Sequence, residues 1–187
     1  MELRTYVILA VLTLVIAYVV FRVIVRRDYQ RKGKLTPFSS FMEYVAIGSW
    51  VYFTYVNVPP DWPAIHVSPA LEVIGSILFY GGLAVTLVAL VWLGVRRSHG
   101  LEVSQLKQSG VYGLTRNPQS LAFVVAIIGN LILWPTWQNL VALIMLAVVL
   151  QLMILTEEEH LREVFGEAYE TYCRRVPRYV GLRRRSD

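Results

Sequence analysis

Ser109–Ser120 reads SGVYGLTRNPQS and Thr156–Tyr172 reads TEEEHLREVFGEAYETY, and the stretch between them is uncharged and mostly apolar, with a short break at Trp134, Pro135, Thr136 and Trp137. Two apolar stretches, Ser120 to Trp134 and Asn139 to Leu155, flank that break. A proline removes a helix hydrogen bond and tryptophan favours the membrane interface, so the break is expected to be the turn of a helical hairpin. Both polar stretches then emerge on the same membrane face. The segments are short for a full crossing, which leaves two arrangements open, a tilted hairpin in a locally thinned bilayer or a single re-entrant loop.

Outward from this pair the pattern repeats. Tyr6 to Val25, Phe38 to Val58 and Leu71 to Val95 are apolar and, at about 1.5 Å per residue, long enough for a hydrocarbon core of roughly 30 Å. A chain of 187 residues that is 56% hydrophobic, with a mean hydropathy of +0.50, falls outside the range of soluble domains of this length. The expected fold is all-α and membrane-integral. It has five transmembrane helices followed by an amphipathic cytoplasmic helix, all in one domain, residues 1–187. Within it, residues 1–97 form a three-helix N-terminal part and residues 98–187 a cofactor-binding part.

Orientation follows from the basic residues, which stay cytoplasmic when they flank membrane segments. Arg26, Arg27, Arg31, Lys32 and Lys34 fall in the first loop, and Arg96, Arg97, Lys107 and Arg116 in the third. The tail holds Arg162, Arg174, Arg175, Arg178, Arg183, Arg184 and Arg185, while the loop Asn57–Ala70 and the turn at Pro135 hold none. The N-terminus is therefore expected outside and the tail in the cytoplasm. A net charge of +5 concentrated beside membrane segments points to anionic lipid as partner rather than nucleic acid. The first segment is too long for a signal peptide and is followed by Arg26 and Arg27, so it is expected to be an anchor. A single cysteine, Cys173, rules out an intrachain disulfide, and His66, His99 and His160 lack metal-ligand spacing, so no metal is expected.

Polar groups at membrane depth are costly and therefore informative. Glu43 near the start of the second segment serves either a site or the interface. Gln151 faces either the site or a neighbouring helix. Gly75, Gly81 and Gly82 in the third segment, with Ala122 and Ala126 in the fourth, offer small faces for close packing. The proline-rich loop from Asn57 to Pro69 reads as a gate or a plain connector.

In the second polar stretch, Thr156 and Glu159 have capping-box spacing, so a helix is expected to start there with Glu157, Glu158 and Glu159 in its first turn. Leu161, Phe165, Ala168, Tyr169 and Tyr172 then recur at helical spacing, ending before Pro177. In the first stretch, Pro118 suits the first turn of a helix whose free N–H groups form an anion site, and Gly110 and Gly113 permit close backbone approach.

The order Leu106, Ser109, Gly110, Val111, Tyr112, Arg116, Pro118, an apolar hairpin, Glu157, Glu158, Leu161, Phe165, Gly166, Tyr169, Tyr172, Val176, Pro177 resembles the isoprenylcysteine carboxyl methyltransferase and phospholipid methyltransferase superfamily of integral-membrane enzymes. The resemblance covers roughly Ser104 to Arg178. It implies S-adenosyl-L-methionine bound at the cytoplasmic face by Ser104, Gln105, Leu106, Lys107, Tyr112, Asn117, Pro118, Gln119, Ser120 and Glu157. Arg116 is then placed for a carboxylate of cofactor or substrate, and Glu158 is the available base should the acceptor be an amine. The chain departs from the superfamily in having Asn117 and Ser104 where His is usual and Ser120 where Tyr is usual. It also has Met153 where prenylcysteine enzymes carry a substrate-binding Arg, which argues against a prenylcysteine carboxylate. The acceptor implied is a lipophilic small molecule with a carboxylate, amine or thiol nucleophile. Two other readings stay open, an NADPH-dependent sterol-type reductase using Arg96 and Arg97, and a non-catalytic scaffold of the same fold.

Overall fold

The computed structural model describes residues 3–57, 67–93, 106 and 108–181, except for the side chains of Leu90, Trp92 and Leu93. Among them the chain is helical, with no strand. Helix α1 (Leu3–Tyr18) runs through a stretch of π turns (Val19–Val25) into α2 (Arg26–Lys32), so that Leu3–Lys32 is one continuous rod. Gly33, left-handed at φ 64°, ends the rod, and Asp28 accepts from the Thr36 N–H at 3.1 Å and from the Thr36 and Ser39 hydroxyls, fixing the start of α3 (Pro37–Val56). Then follow α4 (Pro69–Leu93), a 3-10 turn (Gly110–Gly113), α5 (Pro118–Leu133), α6 (Trp137–Phe165) and α7 (Glu167–Arg175).

Among the described residues, three helices are long and apolar enough to cross a membrane: Leu3–Lys32, Pro69–Ala89 and Trp137–Phe165. Helix α5 is apolar but shorter, and α3 falls short of the same apolar standard. The outward faces are those of a protein solvated by lipid. Val7, Ile8, Val11 and Val15 on α1, and Ile77, Leu87, Val88 and Val91 on α4, stay exposed. That surface costs nothing in hydrocarbon and would be untenable in water.

Helix α6 is the axis on which the N-terminal helices pack. Val149 joins Ala17, Val20, Phe21, Val25 and Ala46 in one cluster, while Met145, Leu146 and Leu150 join Tyr6, Trp50 and Phe53 in another. The Trp50 indole donates to the Ala142 carbonyl at 2.8 Å, satisfying the one polar atom of a buried ring.

The turn between α5 and α6 forms where Pro135 was expected to place it: Thr136 caps α6 by accepting from the Asn139 N–H, and the Asn139 side chain bonds the Trp134 carbonyl at 2.8 Å. Two separate helices are thus joined by a short turn. The hairpin has a further partner, because α5 lies closest to α4. A Cβ on Gly82 would fall 2.6 Å from the Ala126 nitrogen and 2.7 Å from the Ala122 carbonyl, and one on Gly75 would meet Leu133 at 2.8 Å. The contact is backbone on backbone, which only small residues permit. Gly81 meets nothing within 4 Å and plays no part in it.

Helix α6 also corrects the capping box. It continues unbroken to Phe165, and the Thr156 hydroxyl lies 2.9 Å from the Leu152 carbonyl, the back-bond of a residue inside a helix, and 3.2 Å from the Phe21 carbonyl. The break comes at Gly166, whose φ of 50° and ψ of −124° only glycine adopts readily. Helix α7 then folds back, burying Tyr169, Tyr172 and Val176 against Leu106, Leu161 and Phe165.

Candidate functional site

The three consecutive glutamates lie on a helix that turns about 100° per residue, so they address three different neighbours. Glu159 faces the N-terminal rod, where Arg22 Nη2 and Arg26 Nε each donate to it at 2.9 Å. Arg22 also bonds Thr156 at 3.2 Å. Arg22 escaped the sequence reading because one charge inside a strongly apolar run barely lowers its average. The signal that would have found it is the general rule that an intramembrane arginine needs a carboxylate partner.

Glu158 faces the tail. It is buried, with 3% of its side chain exposed, and three guanidiniums surround it. Arg178 chelates both oxygens at 3.0 and 2.7 Å, Arg116 reaches Oε1 at 3.2 Å and Arg162 approaches Oε2 at 3.5 Å. The bidentate bond to Glu158 in turn raises the Arg178 pKa. Its hydrogen bonds go to Arg178, its other close cations are Arg116 and Arg162, and Glu158 does not line the neighbouring cavity.

Glu157 faces that cavity. It has a volume of about 250 Å³, and its walls come from four parts of the chain: Val25 and Tyr29 of the rod, Glu43, Tyr44 and Ile47 of α3, Tyr112 with Arg116–Ser120, and Met153 and Glu157 of α6. The two polar stretches read from the sequence therefore meet. Of the expected cofactor residues, Tyr112, Asn117, Pro118, Gln119, Ser120 and Glu157 line this one space, together with Arg116. Leu106 instead packs beneath α7. Ser104, Gln105 and Lys107, like Arg96, Arg97, His66, His99 and most of the proline-rich loop, lie outside the described residues.

The tail holds the polar strip in place. Tyr172 donates to the Tyr112 carbonyl at 2.7 Å, the Arg116 N–H donates to the Pro177 carbonyl at 3.0 Å, and the Thr115 hydroxyl and Asn117 amide both donate to the Arg178 carbonyl, at 3.0 and 3.1 Å. Gly110, at φ 63°, makes the turn that brings Tyr112 under Tyr172, so its role is conformational. Burial, reinforced by Glu157 and Tyr172, raises the Tyr112 pKa well above the ordinary phenol value and keeps it a neutral donor. Burial likewise raises that of Tyr172. Gln151 turns to the tail too, accepting from the Tyr179 hydroxyl.

Two features of the cavity are unsatisfied. The Arg116 Nε is buried and has no hydrogen-bond partner, although Nη1 of the same guanidinium reaches Glu158 and the Cys173 sulfur. Among the described residues, neither Glu157 nor Glu43 has a salt-bridge partner. Buried polar atoms are normally paired, so two carboxylates without an ion pair among the described residues and an unpartnered guanidinium nitrogen leave polar capacity at this site.

The model of the phospholipid methyltransferase family matches residues 71–168. The chain belongs to that family of membrane methyltransferases. No curated protein and no solved structure matches it. The matched segment runs from the start of α4 to the first residues of α7 and contains Tyr112, Arg116–Ser120 and all three glutamates. It leaves out the rod and α3, which supply the remaining walls of the cavity, and Arg178, which closes the ion cluster.

Proposed function

We propose that this membrane methyltransferase uses S-adenosyl-L-methionine, held in the 250 Å³ cavity, and delivers the methyl group to a lipophilic acceptor. The observation that carries this reading is the convergence of Tyr112, Arg116, Asn117, Pro118, Gln119, Ser120 and Glu157 on one space. The unsatisfied groups there suit the cofactor's two charges. Glu157 offers an acceptor to its ammonium or ribose, while the spare Arg116 Nε and the N-terminus of α5 favour its carboxylate. Tyr112 gives the adenine a ring face and a neutral hydroxyl. Ser104, Gln105 and Lys107 complete the binding strip in this proposal.

When bound, the cofactor supplies a methyl group activated on a sulfonium. The chain's own contribution is orientation and dryness: Val25, Ile47 and Met153 wall the cavity with apolar surface, and exclusion of water matters more than acid catalysis for such a transfer. Tyr44, exposed on α3 beside the cavity, marks the side from which a bilayer-dissolved acceptor enters. The flanking basic residues support a cytoplasmic site, with the N-terminus outside and α3 and α5 completing five crossings.

Calorimetry with S-adenosylhomocysteine on protein in lipid nanodiscs tests the reading. Wild type is expected to bind, and Glu157→Gln to lose about 1.5–3 kcal/mol, the range for a hydrogen bond to a charged group. Failure of the wild type to bind overturns the proposal, and unchanged affinity in Glu157→Gln removes that residue from the cofactor site.

A further inference from the structure

The N-terminal rod changes character towards its C-terminal end. Val19 and Val23 still present apolar surface, but from Arg26 onwards the sequence turns basic, with Arg26, Arg27, Arg31, Lys32 and Lys34 all exposed. Arg26 and Lys32 are committed to carboxylates, Glu159 at 2.9 Å and Asp28 at 3.5 Å. Arg27 and Arg31 stand one turn apart on one face of α2, and Lys34 follows the turn at Gly33. Helix α3 starts beside this end of the rod at a depth fixed by Asp28, which accepts hydrogen bonds from Thr36 and Ser39. Arg27 and Arg31 lie within one helical turn of that tie along the rod, and Phe38 and Phe41 within one turn of it along α3. The two phenyl rings are 63% and 62% exposed. Basic side chains and bare aromatic rings therefore share one depth at one corner of the molecule.

We propose that this corner binds an anionic membrane phospholipid, with Arg27, Arg31 and Lys34 serving its phosphate and Phe38 and Phe41 the upper part of its acyl chains. Neither water nor hydrocarbon alone suits both sets of side chains: phenyl rings left in water forgo the gain of apolar burial, and guanidiniums in hydrocarbon forgo hydration. The boundary between headgroups and acyl chains serves both, because a basic and aromatic surface lying there meets phosphate and hydrocarbon together. Charge then selects among lipids. Phosphatidylcholine carries its own cation, which offsets its phosphate, whereas phosphatidylglycerol leaves that negative charge to be met by the protein. Arginine pairs with phosphate oxygens through two parallel bonds, so Arg27 and Arg31 add geometric preference to the general attraction of a basic surface for anionic lipid. An acidic soluble protein would meet the charges but not the need of the phenyl rings for hydrocarbon. The surface is separate from the cavity, and its test needs no cofactor.

Native mass spectrometry of the full chain, equilibrated in micelles holding equal amounts of phosphatidylglycerol and phosphatidylcholine, counts the lipids retained. Wild type is expected to retain phosphatidylglycerol about tenfold over phosphatidylcholine, and the triple variant Arg27→Gln, Arg31→Gln, Lys34→Gln to lose most of that preference. Arg31→Gln alone should lower it severalfold, whereas Arg174→Gln, which removes an exposed charge from α7 instead, should leave it within about twofold. Thermal unfolding in phosphatidylcholine nanodiscs should be the same for wild type and the triple variant, since all three side chains are exposed, and this separates loss of a lipid site from misfolding. Equal retention of the two lipids by wild type overturns the inference. So does a preference that survives in the triple variant, or one that falls as far in Arg174→Gln as in Arg31→Gln, because the charge of the whole surface would then account for it.

Discussion

Replacing Glu158 by glutamine removes one charge and almost no volume, and its cost can be worked from the three arginines around it. Arg162 is 40% exposed and 3.5 Å away, so its pair belongs to the weak surface class, worth at most about 1 kcal/mol. Arg116 differs: only 10% of its side chain is exposed, and Glu158 is its carboxylate. Losing that partner leaves a buried guanidinium uncompensated, a defect of about 3–5 kcal/mol. Arg178, 31% exposed, turns to water but loses its bidentate bond. The Arg178 carbonyl anchors Thr115 and Asn117, so the tail should loosen from the polar strip as well. Thermal unfolding of the purified protein and limited trypsinolysis at Arg174, Arg175 and Arg178 read the two consequences. Glu158→Gln should be clearly less stable and more readily cut in the tail, whereas Arg162→Gln should stay within about 1 kcal/mol of wild type. Equal losses in the two variants, or a tail as resistant in Glu158→Gln as in wild type, would refute the reasoning.

Gly82→Ala should destabilise by about 1–3 kcal/mol, since its methyl would lie 2.6 Å from backbone, while Gly81→Ala, with open space around it, should be neutral or slightly stabilising; thermal unfolding of the pair checks this. Tyr172→Phe leaves the Tyr112 carbonyl without its buried donor and should cost about 1–3 kcal/mol, with a measurable fall in S-adenosylhomocysteine affinity as the Gly110–Gly113 turn relaxes. Arg22→Met removes bonds to Glu159 and Thr156 and should cost about 1.5–3 kcal/mol, against less than about 1 kcal/mol for the more exposed Arg26→Met; urea titration of the solubilised protein distinguishes them.

Helix positions and the meeting of the two polar stretches were legible because both rest on strong local signals, long apolar runs and a proline-marked turn. Pro118 stands in the first turn of α5, where its ring geometry predicts. The Thr156 cap was misread because Thr-x-x-Glu spacing reports only local compatibility. A helix already begun at Thr136 has no need of a second start, and the hydroxyl bonds backward instead. The closeness of α5 to α4 was half visible in Gly75, Gly82, Ala122 and Ala126, but which of Gly81 and Gly82 faces inward depends on a rotation that sequence does not fix. The surroundings of Glu158 were out of reach for the same reason, whereas the resemblance had already singled out Glu157, which lines the cavity. Adjacent carboxylates are chemically identical in sequence, and only the helix azimuth sends one to a cavity and the other into a nest of arginines.

That azimuth makes the Glu157–Glu159 triplet a phase key for the membrane helix that carries it. Inserting or deleting one residue between Thr136 and Glu157 would swing the triplet by about 100°, handing each carboxylate to its neighbour's partner. The apolar body of the helix, packed on the rod and α3, could partly repack after such a slip with other greasy side chains. The three acidic side chains could not, and so they set the length of α6 to the residue.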